Sequence, residues 1–398
     1  MIIRTKKKKK TANRIVTVTV LTFVIAVTYL FGRFMPREWA DVYSAEIFPL
    51  LSSLPQRLSS LTKISVTEIT VITFGILIIP LLILWLVLLI RKALTCGAGD
   101  YLYKSLRNVL VIAMAGLILF ELLHGFNYRR TPARAMLGLG YGKLTFEDYC
   151  EALEWSYEGM IKARKELEED EHGVAKMTTD FEGTSEYASR VVDSFCLTYG
   201  ISRYACSTRA KSVRLSHYWS WTYIVGMYNP VYGEANINTD FADTTALPVT
   251  VCHELCHAKG FANETDCNLV GAFACVISER ADFRYCGYYT IFISLLGQID
   301  KLVKTKGFKY DYPINNADIR PVARDMKASQ EYWKSVDAEV LEMQKRLGIN
   351  ITEKSLEANN RFLESNGEKG GNETYNVPGN EYVDFYLKYF SGKGNKDA

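Results

Sequence analysis

Two histidines and a glutamate lie within five residues of one another in the stretch HELCH, at positions 253–257 of a chain with only five histidines. On a helix, a spacing of four places His253 and His257 one turn apart on one face. Both imidazoles can then reach a single Zn²⁺ ion at about 2.0–2.1 Å. Glu254 adjoins the first histidine and suits a general base beside a zinc-bound water; the zinc would polarise the peptide carbonyl, and the activated water would attack it. The pattern predicts zinc-dependent hydrolysis.

A catalytic zinc site takes three protein ligands and leaves one position open. Glu264 follows His257 by seven residues, beyond the turn GFAN, so a chain reversal there would bring its carboxylate to the ion. Asp266 is the rival third ligand, two residues further on and therefore on a different helical face. We favour Glu264 because Asn268 lies one turn after it and can brace the carboxylate.

Other residues offer alternative ligands with weaker support. His124 lies close to an apolar segment, His172 lies in an acidic helix end, and His217 has no position that relates it to the motif. Cys252 and Cys256 each precede a motif histidine, so thiolates could complete a closed structural site. We favour the interpretation that these two cysteines face the core as small hydrophobic residues.

The first third of the chain predicts three transmembrane helices, at about 15–33, 69–90 and 108–126. The second segment is uncharged and long enough to cross ~30 Å of hydrocarbon. The first is expected to remain as an anchor, since no cleavage pattern follows it. The third contains Glu121 and His124 near its end. We interpret them as interfacial groups that snorkel to the headgroups, with a functional polar pair as the alternative.

The distribution of lysine and arginine predicts the orientation. Basic residues are frequent before the first span and between the second and third spans, and sparse in the intervening loop, which has Arg37, Arg57 and Lys63 near its ends. The positive-inside rule places the N-terminus in the cytoplasm and the chain after about residue 127 outside. We therefore predict a multi-pass protein of the cell membrane. Because an apolar span follows the lysine run at once, we expect no nucleic-acid partner.

These features divide the chain into a basic cytoplasmic tail at 1–14, a membrane region at 15–126 and an extracellular domain at 127–398. The expected fold class is α+β and mostly helical, with a small sheet beside the helix that carries the motif. Thr145 and Asp148 predict a capping box at the start of a long amphipathic helix. Thr244 or Thr245 could cap the motif helix, Pro248 fits its first turn and Gly260 its end.

A short alternating stretch, GEANIN at 233–238, suits an edge strand. An extended peptide would pair with such a strand by β-augmentation. The residues of this predicted substrate strand are Gly233, Glu234, Ala235 and Asn236. Eight of the nine cysteines follow the third span. Cys196 and Cys206 are close enough in sequence to form a disulfide outside the cell, although sequence does not determine pairing.

The stretch HELCHAKGFANETDCN, with YGEANINTD before it and FRYCGYY after it, is similar to an uncharacterised family of bacterial membrane-anchored proteins, known only as a domain of unknown function. That family shows HExxHxxGF, E-x-[DE]-x-N, a GEAN strand and an N-Y-x-R segment, here Asn127, Tyr128 and Arg130. Cys256 and Cys267 depart from its usual small residues, which keeps the thiolate alternative open.

The family in turn resembles zincin peptidases of the gluzincin type, whose third zinc ligand is a glutamate on the following helix. The resemblance implies a zincin-like zinc peptidase with Glu264 as that ligand and Asn268 where an aspartate would stand. The working hypothesis is a membrane-anchored zinc-dependent metallopeptidase acting on a peptide or protein substrate. Tyr285, Tyr288 or Arg284 could donate to the oxyanion.

A non-catalytic zincin-like receptor, sensor or scaffold is the alternative function. Glu254 favours the enzyme, because a binding module needs no base beside the ion. An intramembrane protease requires the histidines inside a span, and here they lie more than a hundred residues beyond the last one. We therefore do not expect that class.

Overall fold

The structure, a computed structural model, describes residues 2–95, 97–140, 142–205, 208–375 and 379–392. The described part is mostly helical and contains one three-stranded sheet, as the sequence predicts. The helices of the membrane region are α1 (Ile2–Phe34), α2 (Arg37–Val42), α3 (Phe48–Ser60), α4 (Val66–Leu94) and α5 (Ala98–Leu123). A π-helical turn, Tyr43–Ile47, joins α2 to α3.

Three of these helices are long and apolar enough to cross a membrane: α1 from Lys10 onwards, α4 and α5. At most 11% of the apolar window of each is buried inside the protein, so their apolar side chains face outward. This confirms three candidate spans. The third helix starts well before residue 108 and ends at Leu123, because His124 leaves the helical conformation and a 3-10 turn, Gly125–Arg129, follows.

The loop between the first two spans contacts the domain that follows the third span. In α3, Gln56 Nε2 donates a hydrogen bond to Ala258 O at 2.8 Å. In α2, the Asp41 carboxylate accepts from Thr131 N at 2.6 Å and from its hydroxyl at 2.7 Å. The loop and the domain therefore lie at the same end of the helix pair, where α4 begins and α5 ends. This is the arrangement expected if α4 crosses a membrane and α5 returns. Which side is cytoplasmic stays a sequence prediction.

The domain after the spans is built from ten helices and three strands within the described residues. In chain order they are α6 (Ala133–Met136), α7 (Phe146–Lys165), α8 (Phe181–Thr198), β1 (Ala210–Ser212), α9 (Ser216–Ser220), β2 (Gly226–Asn229), β3 (Glu234–Ile237), α10 (Leu247–Ala258), α11 (Glu264–Val276), α12 (Ala281–Lys306), α13 (Asn316–Leu347), α14 (Ile351–Asn366) and α15 (Gly379–Tyr389). A 3-10 turn, Gly371–Tyr375, follows α14.

The core of the domain lies around α10 and α11, which pack against each other and against α8 and α12. Cys252 and Cys256 of α10 are completely buried there, as predicted for small hydrophobic residues. The predicted capping box also forms at the start of α7, where Thr145 and Asp148 satisfy each other's backbone amides.

The strand that carries GEAN is central, so the prediction of an edge strand is wrong. The sheet order is β1-β3-β2, with β3 parallel to β1 and antiparallel to β2. Its polar alternation is misleading because Glu234 and Asn236 are completely buried and hydrogen-bonded inside the protein. With both neighbours in place, the predicted substrate strand, Gly233, Glu234, Ala235 and Asn236, offers no open edge to a peptide.

The Glu234 carboxylate joins the sheet to the second span. It lies 2.5 Å from Lys211 Nζ and accepts hydrogen bonds from Val66 N and Thr67 N at 3.0 and 2.8 Å. These amides belong to the first turn of α4, where a negative charge is favourable. Burial alone would raise the pKa of Glu234, but the Lys211 and Thr67 hydrogen bonds lower it.

We predict that Glu234→Ala lowers the free energy of unfolding by about 3–5 kcal/mol, because it leaves the Lys211 ammonium buried without its partner. Thermal and denaturant unfolding of the detergent-solubilised full chain measures this loss. The control is Glu331→Ala, which removes an exposed pair with Lys327 and is expected to cost less than about 1 kcal/mol. Equal effects of the two changes would contradict the structural role of Glu234.

Candidate metal and catalytic site

The helix α10 carries the HExxH motif and begins differently from the prediction. Its N-cap is Ala246, without a side-chain cap, and Pro248 lies in its first turn. Thr245 instead hydrogen-bonds Asp243 Oδ1, so neither predicted threonine caps the helix. At the other end Gly260 has φ of +81°, a left-handed conformation that favours glycine and permits the sharp reversal toward α11.

The reversal brings the three predicted ligands together. Glu264 Oε2 lies 3.0 Å from His253 Nε2 and 3.5 Å from His257 Nε2. Neither approach has the alignment of a regular hydrogen bond, and by that geometry the buried oxygen has no partner in the described part of the chain. Ligands around a tetrahedral zinc at about 2.0–2.1 Å are roughly 3.3 Å apart. The three atoms therefore have the spacing of a shared cation site.

The opposite ring nitrogens are each held by an oxygen. His253 Nδ1 lies 2.7 Å from Asn268 Oδ1, and His257 Nδ1 lies 2.8 Å from Phe261 O. Both oxygens accept, so each imidazole donates from Nδ1 and turns Nε2, its potential ligand atom, toward Glu264. Asn268 thus orients a histidine, whereas the sequence suggested that it would brace the Glu264 carboxylate.

Cys267 is a second candidate for the donor set. Its Sγ lies 3.3 Å from His257 Nδ1, and the thiol lies within ligand range of both motif histidines. It lies, however, on the side of His257 that already donates to Phe261 O. Burial raises the pKa of Cys267 well above its usual value, which keeps it a protonated thiol. The geometry therefore favours Glu264 over Cys267.

Glu254 lies beside the three converging side chains and is 5% exposed. Its Oε2 has no hydrogen-bond partner among the described residues. The side chain packs against Gly226 of β2, where a Cβ atom would come within 2.8 Å of Glu254 Cγ. Burial raises the pKa of Glu254, while the neighbouring His253 and His257 oppose that shift. A carboxylate so placed has the position of a general base.

Asp266, the rival ligand, makes its contacts elsewhere. Its carboxylate accepts a hydrogen bond from Ala133 N and lies near Arg130. Burial raises its pKa to about 6, although those two neighbours lower it. Arg130 in turn donates to Gly260 O at 2.9 Å and covers the Phe261 ring. Asp266 therefore helps to fasten the segment after the third span to the turn between α10 and α11.

Glu264 and His257 shift each other's pKa values in the direction that favours the charged forms. Burial alone would lower the pKa of His257, but the adjacent Glu264 carboxylate raises it to about 9. Burial alone would raise the pKa of Glu264, but His257 and His253 hold it well below its usual range. Glu264 is therefore an anion that faces the two imidazoles in a buried setting, which is the arrangement that a divalent cation favours.

His124, the first residue after α5, reaches this site. Its ring centroid lies 5.6 Å from that of His257 and 5.3 Å from that of Tyr128. Glu121 and His124 are only 5% and 7% exposed, so the prediction that they snorkel to the headgroups is wrong. Burial lowers the pKa of His124 to about 3, with a smaller contribution from His257. The sequence feature that could have predicted this contact was the pair of polar residues at the end of an apolar span.

The contact between His124 and His257 places the motif close to the end of the third candidate span. More than a hundred residues separate the third span from His257 in sequence, yet the end of that span lies beside the site. Sequence separation was therefore an unsound reason to place the motif far from the bilayer. The motif helix itself is not among the candidate spans of the described chain.

Other predicted site residues lie elsewhere. His217 contacts Asp240 and Glu339 at 2.9 and 2.8 Å, and His172 is an exposed neighbour of Glu171. Among the suggested oxyanion donors, Tyr285 binds Asp325, Arg284 binds Glu166 and Tyr288 packs on Trp155. Cys196 is buried, while its suggested partner Cys206 lies outside the described residues.

The sequence did not suggest Tyr128 as an oxyanion donor, but its hydroxyl lies near Glu264. Tyr128 belongs to the N-Y-x-R segment, and its buried OH has no hydrogen-bond partner within the described chain. The negative charge of nearby Glu264 raises its pKa further, after burial. Tyr375 lies on another side of the site, where its ring stacks on that of His253 at 6.3 Å and its carbonyl accepts from Asn268 Nδ2 at 2.7 Å.

Comparison with known proteins places the chain in one family. Residues 43–378 match the model of a family described as a protein of unknown function, DUF3810. The chain belongs to this family. No curated protein and no solved structure matches it. The matched range contains α4, α5 and every residue of the site, so the likeness covers the site without assigning it an activity.

We predict that the pKa of His217 lies above its ordinary value of 6.5, because Asp240, and to a smaller extent Glu339, favour the protonated ring. Histidine NMR of the detergent-solubilised chain measures the titration midpoint, with His217→Gln used to assign the signal. Asp240→Asn should move the midpoint back toward 6.5. An unchanged midpoint in that variant would show that the pair does not form.

Proposed function

We propose that this protein is a membrane-anchored, zinc-dependent peptidase of zincin-like design, with its active site near the membrane surface. The observation that carries the proposal is the convergence of His253 Nε2, His257 Nε2 and Glu264 Oε2 at the spacing of metal ligands. From the sequence, we further propose that the site lies outside the cell.

The donor set fits zinc. Two imidazole nitrogens and one carboxylate form a common set of three protein ligands that leaves a fourth position open. The unpartnered Glu264 Oε2 would otherwise be an anionic atom buried at a cost. A zinc ion held there would supply a Lewis acid that polarises the scissile carbonyl and acidifies a water molecule.

The other residues of the site would transfer the proton, orient the ligands and donate a hydrogen bond to the substrate. Glu254 accepts the proton of the attacking water and passes it to the leaving amine. Asn268 and Phe261 O fix the ring orientation of the two histidines. The Tyr128 hydroxyl, buried and without a partner in the described chain, is available to donate to the carbonyl oxygen as negative charge develops there.

One observation favours the alternative, a non-catalytic zincin-like receptor, sensor or scaffold. The site residues are almost enclosed: His253, His257 and Glu264 are 5–6% exposed. The turn Gly371–Tyr375 packs over α11, where Thr265 donates to Thr374 O at 2.7 Å, and Tyr375 covers the His253 ring. Such a cover suits a site whose occupant is held rather than exchanged.

Metal content tests the ligand set. We predict about one zinc per chain by elemental analysis of the purified full chain, retained in Asp266→Asn and lost in Glu264→Gln, because of these two carboxylates Glu264 is the one that faces the imidazoles. Thermal unfolding of each variant controls for loss of fold. Retention of zinc in Glu264→Gln together with its loss in Cys267→Ser would contradict the proposed ligand set and would show that the Cys267 thiolate binds the zinc instead.

Hydrolysis tests the base. We predict that Glu254→Gln keeps its zinc but cleaves a mixed-sequence peptide library about 10²–10⁴-fold more slowly, since the general base is lost while the ligands remain. Mass spectrometry of the products measures the rate, and Asp266→Asn provides the control with an intact site. A zinc-loaded wild-type chain that cleaves nothing in the library would favour the non-catalytic alternative.

A further inference from the structure

The helix α3 is amphipathic with its polar side turned inward. Its buried face consists of Phe48 and three polar residues, Ser52, Gln56 and Ser59. Its outer face, together with the cap residues Ile47 and Leu61, carries large exposed apolar side chains; on the helix these are Leu50, Leu51, Leu54 and Leu58. Of these, Leu50 is 77% exposed and Leu61 83%. We call these six residues the leucine face. In water, a helix would present the opposite pattern.

The polar side of α3 is held by the domain that contains the motif. Gln56 Nε2 donates to Ala258 O at 2.8 Å, and its Oε1 accepts from the Tyr204 hydroxyl at 2.8 Å. Phe48 is completely buried and packs against Gly260, which follows the motif helix. These contacts fix the rotation of α3, so that the leucine face points away from the domain.

An apolar surface of this kind requires an occupant. In the chain α3 lies between two candidate spans, since α1 ends at Phe34 and α4 starts at Val66. The outward apolar surfaces of those spans are the part of the molecule that lipid is expected to cover. Trp39 of α2 is 61% exposed, and indole rings favour the membrane interface. The leucine face is therefore continuous in the chain with a lipid-covered surface.

The helix does not cross the bilayer by itself. With 13 residues, α3 is about 20 Å long, shorter than the ~30 Å of a hydrocarbon core. Arg57 of the same helix is exposed and suited to lipid phosphates. Length, charge and the polar contacts of the inner side all fit a helix that lies at the membrane surface.

We propose that the leucine face is embedded in the interfacial layer of the lipid bilayer and thereby holds the C-terminal end of the motif helix at the membrane surface. The proposal does not depend on the peptidase activity, because it rests on the exposure of the leucine face and the contacts of Gln56. Together with that activity, it assigns the substrate class: peptide segments that lie at or near the headgroups.

Spin labels in nanodiscs of phosphatidylcholine and phosphatidylglycerol test the proposal. The full chain, with Cys96, Cys150 and Cys206 changed to serine, carries one nitroxide on Leu54→Cys. The control carries it on Leu341→Cys, since Leu341 is 51% exposed on α13, a helix of the domain that packs against α7 and α14. Power saturation compares collisions with oxygen, which concentrates in lipid, and with a water-soluble nickel chelate.

We expect the label at position 54 to collide more with oxygen than with the nickel chelate, and the label at position 341 to show the reverse order. Greater access of the chelate at position 54 would overturn the proposal, because the face would then lie in water. Exclusion of both reagents, with spin–spin broadening that disappears on dilution with unlabelled chain, would overturn it in favour of contact with a second copy.

Folding of the labelled chains is controlled separately. Leu54 is 63% exposed, so Leu54→Cys should leave the thermal unfolding midpoint unchanged. Leu50→Cys lies one turn earlier on the same face and repeats the measurement at an independent site. The proposal fails if the two positions differ in the order of the two collision rates. Zinc content of the same samples is measured alongside, which separates this result from any failure of the proposed peptidase activity.

Discussion

A buried carboxylate ties together the parts of this molecule that lie far apart in sequence. Glu234 belongs to the central strand, pairs with Lys211 on the neighbouring strand and accepts hydrogen bonds from the first turn of the second span. Ser59 of α3 also donates to it, at 3.3 Å. Because an unpaired charge cannot stay buried cheaply, this contact fixes the domain against the membrane region. The motif helix, packed on the same sheet, takes its place from that attachment.

In the candidate site the histidine rings are held in fixed orientations, while some carboxylate oxygens have no hydrogen-bond partner in the described chain. Both imidazoles are oriented by oxygens on their far side, and their near nitrogens face Glu264 at 3.0 and 3.5 Å. One carboxylate oxygen of Glu254 and one of Glu264 lack hydrogen bonds within the described chain. Most buried polar atoms in proteins have hydrogen-bond partners, so two unpartnered carboxylate oxygens in one cluster support the proposed zinc site. The unpartnered oxygen of Glu254 likewise supports its proposed role in proton transfer.

Several features followed from the sequence because they depend on local periodicity and spacing. The three apolar helices, the capping box at Thr145 and the pair of histidines one turn apart all belong to this class. The choice of Glu264 over Asp266 also agrees with the contacts. As a zinc ligand Glu264 stays a prediction. Its contact with the histidines arises because the seven-residue gap leaves room for one turn only, after which the first residue of α11 faces them.

What the sequence by itself determined is the mostly helical character of the chain, its three long apolar helices and the one-turn spacing of the motif histidines, since periodicity and spacing act over a few residues. Tertiary structure alone decided that the GEAN strand is central, that Asn268 orients a histidine and that His124 reaches the site. Each depends on which distant segment supplies a partner. Polar alternation cannot distinguish a solvated residue from a buried one whose partner comes from elsewhere in the chain, and only the packing of distant segments supplies that partner.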